Sequence, residues 1–198
     1  MPKQVDHDQR KQTIAEATWR VILQQGMEGA SVRNIAKEAG LSAGALRHDF
    51  SSQEELLRYA MNLVKEKAAA RINEIAELDL PPKNKVLRLL LEIVPTREET
   101  RAEMEVWLAF TSYFRHKQPG FDAQHDGIYQ MMRQIIAYLD ERELLKAGAD
   151  QELEAERLYA LIDGIALHAL LDPQRLGADK ISRVLVHHLD SIMNVAEK

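Results

Sequence analysis

Cysteine does not occur in the 198 residues, so disulfides and thiolate metal sites are excluded. That absence fits a reducing cytoplasm, the location expected for this chain. No run reaches 18 consecutive apolar residues, so no membrane-spanning helix is expected. The opening residues, MPKQVDHDQRKQT, are polar and lack the apolar centre of a secretory signal. No segment alternates apolar and polar residues as a half-buried strand does, and glycine-rich linkers, long repeats and low-complexity tracts are missing. The motifs of common catalytic chemistries are absent as well: there is no HExxH, no phosphate-binding loop and no thiol nucleophile. Asp122 and His125 stand at i, i+3 spacing, but no second acid–histidine pair completes a di-iron set. No metal or cofactor is expected, and a helical enzyme is kept as the minor alternative. A basic excess is also lacking. The net charge is −5, although residues 1–60 carry eight Lys/Arg against eight Asp/Glu, so the acidity lies in the remainder.

What is present is helical pattern. Hydrophobic residues make up 45% of the chain, as in a globular protein. Ile14, Ala17, Val21 and Ile22 form an apolar stripe over residues 8–25, ended by Gly26 and Gly29. A long helix from Gln53 to about Ile75 carries Leu56, Leu57, Ala60, Leu63 and Val64, with Ser51 or Ser52 as its cap, and Pro81-Pro82 stops it. Further helices are expected over 83–94, 98–117, 121–146, 151–171 and 179–195, separated by Pro95, by Gln118-Pro119-Gly120, by Gly148 and by Asp172-Pro173. The expected fold is all-α, about nine helices, with a domain over residues 1–52 and a second, larger one over 53–198.

The stretch Ser31–Phe50, SVRNIAKEAGLSAGALRHDF, gives the chain its direction. Ser31 is a helix-capping residue type, and Ile35, Ala36 and Ala39 repeat at helical spacing. Gly40 suits the left-handed residue at a helix C-terminus. Ser42 caps again, and Ala45 and Leu46 begin a second stripe. Capped helix, glycine turn and capped helix make a helix-turn-helix, whose second helix enters the DNA major groove. By spacing alone, an αα-corner inside a helical protein fits equally well.

The first 60 residues resemble the DNA-binding domain of the TetR family of transcriptional regulators. The resemblance is carried by Ile14 with Ala17, by Gly26, by the run SVRNIAKEAGLSAGAL, and by Phe50 with Glu55-Leu56-Leu57. The chain also resembles the BetI-type subgroup, through ALRHDF with Ser52–Leu57, Val94-Pro95, VWLAF at Val106–Phe110 and LIDGIALHALLDP at Leu161–Pro173. The resemblance implies a homodimeric repressor that binds a palindromic double-stranded operator and releases it when a small molecule enters the larger domain. Control by a partner protein instead of a ligand is the alternative, and activation instead of repression is another.

The candidate DNA-contacting residues are Ser31, Arg33, Ser42, Ala43, Gly44, Ala45, Arg47, His48 and Gln53. The first residues of a recognition helix face base edges, and here they are small. Small residues make few base hydrogen bonds but permit close backbone approach and contact with thymine methyls. Arg33 and Arg47 are the long readers, since Arg binds guanine bidentately. His7, Arg10 and Lys11 either lie beside phosphates or form a solvated helix start. Many relatives in the family carry Tyr at the Arg47 position, His or Tyr at Asp49, and a phosphate-contacting Lys at Gln53. Asp49 is therefore expected to turn away from DNA, toward Arg47 or a helix N-terminus.

Two further faces are expected. Leu153–Leu171 is too apolar for a monomer's surface helix, and with Ile181–Ile192 it would form a four-helix bundle across a two-fold axis. An unidentified small-molecule effector would meet side chains drawn from Met104, Trp107, Phe110, Thr111, Phe114, Phe121, Tyr129, Met132, Asp163 and His168. Each of these is, taken singly, equally at home in an ordinary core. A quaternary ammonium would want an aromatic cage with a carboxylate, for which Trp107 with Glu103 or Asp163 is available.

Overall fold

The computed structural model describes residues 2–117 and 127–194. Phe121, Asp122, His125 and the Gln118–Gly120 break lie outside the described residues. Among those described there are nine helices: α1 (Pro2–Gly29), α2 (Val32–Glu38), α3 (Ala43–Asp49), α4 (Gln53–Ala76), α5 (Pro82–Leu91), α6 (Glu98–Lys117), α7 (Ile128–Asp140), α8 (Gln151–Leu171) and α9 (Ala178–Ile192). The fold is all-α, as the periodicity predicts. Among the described residues no helix is long and apolar enough to cross a membrane.

Packing divides the chain into two compact units, Met1–Lys67 with Glu105–Phe121, and Ala68–Met104 with Asp122–Lys198. In the first, α1 lies against α2 and α2 against α3. Ile14, Ile35, Leu46, Phe50, Leu56 and Phe114 centre its core. The N-terminal half of α4 belongs here because Leu56, Leu57, Ala60, Met61 and Val64 repeat at helical spacing and are all buried. Trp19 of α1 donates its indole N–H to the Ala60 carbonyl at 2.9 Å, and Lys67 pairs with Glu16 at 3.0 Å. Burying several such large side chains, at about 1.5–3 kcal/mol each, is what holds the short helices α2 and α3, which are too short to persist alone. At Gly26 the backbone takes φ +69°, ψ −179°, and α1 breaks there before its last turn. A β-carbon is disfavoured in that conformation.

In the second unit α7 packs along α8 and α5 along α9 around Leu90, Met132, Ile136, Leu158, Ile162 and Leu185. The helix expected to reach residue 146 ends at Asp140. Glu143 takes φ +57°, and the chain then runs beside the end of α9, Lys146 N–H donating to the Ile192 carbonyl and Asn194 N–H to that of Leu144. Backbone pairing with α9 outcompetes the last helical turn. Asn194 fastens the join through its side-chain amide, which donates to the carbonyls of Glu143 and Leu145 at 3.0 Å.

Arg71 ties α4 to other elements of the same unit. Its guanidinium grips Glu103 with two bonds, 3.0 and 2.7 Å, and donates to Glu92 at 2.9 Å. Hydrogen bonding by Glu103 raises the Arg71 pKa further above its ordinary value, and bonding by Arg97 holds the Glu92 carboxyl below the usual range. Such forked pairs fix orientation as well as adding energy. This network takes up Glu103, one of the two carboxylates that the sequence offered to a cationic cage.

Candidate nucleic-acid interface

Local chemistry builds the α2–turn–α3 unit. Ser31 Oγ accepts from Asn34 N–H at 3.2 Å, capping α2. At its other end Leu41 N–H donates to the Ala36 carbonyl and Gly40 N–H to that of Lys37, at 2.8 and 3.2 Å. This doubled bond pattern needs a left-handed residue, and Gly40 supplies it with φ +68°. Ser42 Oγ then accepts from Ala45 N–H at 3.1 Å and caps α3. Both capping expectations hold because a cap depends on residues three positions away and on little else.

The charges on this unit differ from those around it. Arg20 pairs with Glu38, Arg58 with Glu54, Lys67 with Glu16 and Arg10 with Asp49. Arg33, Lys37 and Arg47 are exposed, and among the described residues none has an acidic partner. Arg33 and Lys37 stand four residues apart on α2 and border a cleft of about 620 Å³, lined also by Asn34, Ala36, Leu41 and Ala43. Lys37 went unread in the sequence, although its i, i+4 relation to Arg33 was a signal that the two share a face. Solvated cations with no internal partner keep their full charge for an anionic ligand.

The remaining candidates sort by what they already bond. Ser42, Gly44 and His48 are exposed, and Ala43 and Ala45 are half-buried. The hydroxyls of Ser31 and Ser42 already accept their capping bonds and are left with a proton to donate. Gln53 donates from Nε2 to the Ala30 carbonyl at 2.7 Å, which joins the start of α4 to the loop before α2. Asp49 does turn inward, but to Arg10 of α1 at 2.8 Å and not to Arg47 or a helix N-terminus. Arg47 is two residues back on the same short helix, and i, i+2 side chains do not face each other. Lys11 lies over the rings of Phe50 and Tyr59, at 5.4 and 5.9 Å, so of the α1 residues suggested for phosphates Arg10 and Lys11 both have contacts within the chain.

The described effector candidates are drawn from both units. Phe110 and Phe114 are buried in the core of the first unit, their ring centroids 4.4 Å apart, with Trp107 packed on that core. Met132 is fully buried in the core of the second unit, and Tyr129 meets the Tyr159 ring at 5.5 Å. Met104 is buried and Thr111 half-buried. Asp163 and His168 are exposed on α8.

One face of α8 is apolar and open. Leu153 is 67% and Leu171 71% exposed, and Ala160 and Leu167 lie between them on the same side. A Cβ added to Gly164 on this helix would meet nothing within 4 Å. An exposed stripe of this kind marks an interaction surface.

Comparison with known proteins gives a consistent picture. Residues 14–60 match the profile described as bacterial regulatory proteins, tetR family, and residues 82–194 match that of the BetI-type transcriptional repressor C-terminal domain. The HTH-type transcriptional regulator PksA of Bacillus subtilis (strain 168) is 66% identical over 192 residues, 97% of this chain and 94% of that protein. The regulator BetI of Vibrio campbellii (strain ATCC BAA-1116) is 31% identical over 205 residues, 100% of this chain and 99% of that protein. Among solved structures, a transcriptional regulator from Rhodococcus sp. Rha1 is similar with a TM-score of 0.80 at 26% identity, covering 94% of this chain and 98% of the other. A putative regulator from Saccharomonospora viridis, solved in complex with choline, shares the fold with a TM-score of 0.83 at 23% identity, over 95% of this chain and 100% of its own.

Proposed function

We propose, from the premise that this chain belongs to the TetR family of transcriptional regulators and carries a BetI-type C-terminal domain, that it is a homodimeric repressor released from a palindromic operator by a small molecule. It is a regulator and not an enzyme. The observation that carries the operator reading is the trio Arg33, Lys37 and Arg47, exposed and, among the described residues, without acidic partners on a doubly capped helix-turn-helix whose neighbours Arg10, Arg20 and Arg58 are paired with acids. Arg33 and Arg47 reach base edges or phosphates, Lys37 a phosphate, and the small residues Ser42–Ala45 let the α3 backbone come close to the groove wall.

Dimerisation through the open stripe of α8, with α9 beside it, supplies the second recognition helix. Two half-sites one helical turn apart then read as a palindrome. The effector is taken up by the C-terminal domain and shifts α4, which lowers operator affinity. A coupling of about 1–3 kcal/mol suffices for a 5- to 150-fold change. The protein works in the cytoplasm, where its operator is.

The test is a binding selection from random duplex DNA with the purified protein. Enrichment of one inverted repeat is the expected result, and enrichment of none refutes the operator reading. Melting the protein against a small-molecule collection tests the rest: a compound that raises Tm and also releases the selected DNA supports effector control.

A further inference from the structure

Asp49 is out of place for a helix that has to approach DNA. It ends α3, where an acid opposes the helix dipole, and it adds negative charge to the element that must come near phosphates. Its side chain is only 2% exposed. A buried carboxylate costs more than its partner returns unless the geometry is good. The charge that faces it is Arg10 of α1. Arg10 Nε lies 2.8 Å from Asp49 Oδ2, and Nη2 of the same guanidinium donates to the Ala45 carbonyl at 3.3 Å. The guanidinium therefore meets α3 at two points a turn apart, through an ion pair with Asp49 whose angle falls outside hydrogen-bond geometry and through a hydrogen bond to the Ala45 carbonyl. His7 Nε2 and His48 Nδ1 lie 3.5 and 3.9 Å from the other carboxylate oxygen.

We propose that Arg10 and Asp49 are positioning residues that set the rotation and depth of α3 and thereby the operator's sequence preference. The inference rests on the operator reading above. Its physical basis is the short reach of the helix tip. Ser42, Ala43, Gly44 and Ala45 have almost no side-chain length with which to correct a misplaced backbone, so a site of this type depends on the rigidity of its supports. A lysine at position 10 would keep the charge but lose one of the two contacts, because a single ammonium lacks the spread of donors with which the guanidinium meets a carboxylate and a carbonyl together.

The experiment uses the full-length protein, the duplex selected above and the same duplex with single base pairs exchanged. Asp49→Asn, Arg10→Met and Arg10→Lys are compared with the unaltered chain for affinity, discrimination and salt dependence, with Tm recorded for each. Positioning predicts that Asp49→Asn binds the selected duplex at least tenfold more weakly, although it removes a negative charge. It predicts that discrimination against exchanged base pairs shrinks, that the salt slope stays unchanged, and that Arg10→Met combined with Asp49→Asn costs no more than either alone. Arg10→Lys should also lose discrimination while keeping its fold, which covers the case in which Asp49→Asn or Arg10→Met does not fold.

Asp49→Asn binding as tightly as the unaltered chain, or Arg10→Lys discriminating as well, overturns the proposal. A salt slope that falls by about one ion per subunit in Arg10→Met, with discrimination intact, also overturns it and makes Arg10 a phosphate contact. If the unaltered chain selects no duplex at all, the operator reading fails first, which is a separate result.

Discussion

Replacing Gly44 by alanine should make this protein slightly more stable and a poorer DNA binder. Gly44 is the second residue of α3, just inside the Ser42 cap, and it is exposed. A Cβ built on it finds its nearest neighbour in Ser42 Oγ at 3.9 Å, an ordinary van der Waals contact. Nothing inside the chain asks for a glycine at this position. Glycine in a helix costs about 0.5–1 kcal/mol relative to alanine, and a first-turn position lies at the lower end, ~0.5 kcal/mol. For a chain of this size that is a Tm rise of about 1–2 °C. The space beside Gly44 is of use only to something outside the chain, which in the operator reading is the groove wall. A methyl group there holds the α3 backbone away and should cost about 1–3 kcal/mol of operator binding, the range of a wrong base pair. Thermal melting followed by fluorescence anisotropy on the selected duplex measures both signs. A lowered Tm refutes the packing argument. A raised Tm with unchanged affinity refutes the close approach.

Gly40→Ala should go the other way, losing about 1–2 kcal/mol on denaturant unfolding, because at φ +68° the added Cβ is strained although nothing lies within 4 Å of it. Leu171→Glu in the open face of α8 should turn the proposed dimer into monomers in sedimentation with little change in the fold, and a dimer that persists would move the interface elsewhere. His188 is buried on α9, and desolvation, helped by the charges of Arg157 and His187, pushes its pKa down to about 4. The unfolded chain therefore takes up this proton first. The stability His188 contributes is complete above about pH 6.5 and is lost as the pH falls toward 4, on the order of 2 kcal/mol after solvent screening. Unfolding followed across that window should show the loss, and His188→Leu should flatten it.

Much of this protein can be read along the chain because much of it is local. The Ser31 and Ser42 caps, the Gly40 turn and the buried stripe of α4 each depend on residues within a turn or two, and periodicity reports them directly. The open apolar face of α8 was legible for the same reason, since one helix cannot hide Leu153, Leu167 and Leu171 together with Ile162 and Ile165. Local pattern in the sequence thus determined an all-α chain with two short capped helices near its start, and the resemblance to the TetR family made them the helix-turn-helix of a regulator.

Tertiary structure decided which charges are spent. Gln53 bonds Ala30 across 23 residues, Arg71 grips Glu103 across 32, and Arg10 reaches Ala45 across 35. No spacing rule foretells such pairs, because any cation can meet any acid until the core has fixed where each helix lies. Arg33, Lys37 and Arg47 look no different in sequence from Arg10, Arg20 or Arg58. Folding neutralises the second group and leaves the first exposed, and that distinction turns a neutral segment into a candidate DNA-binding face.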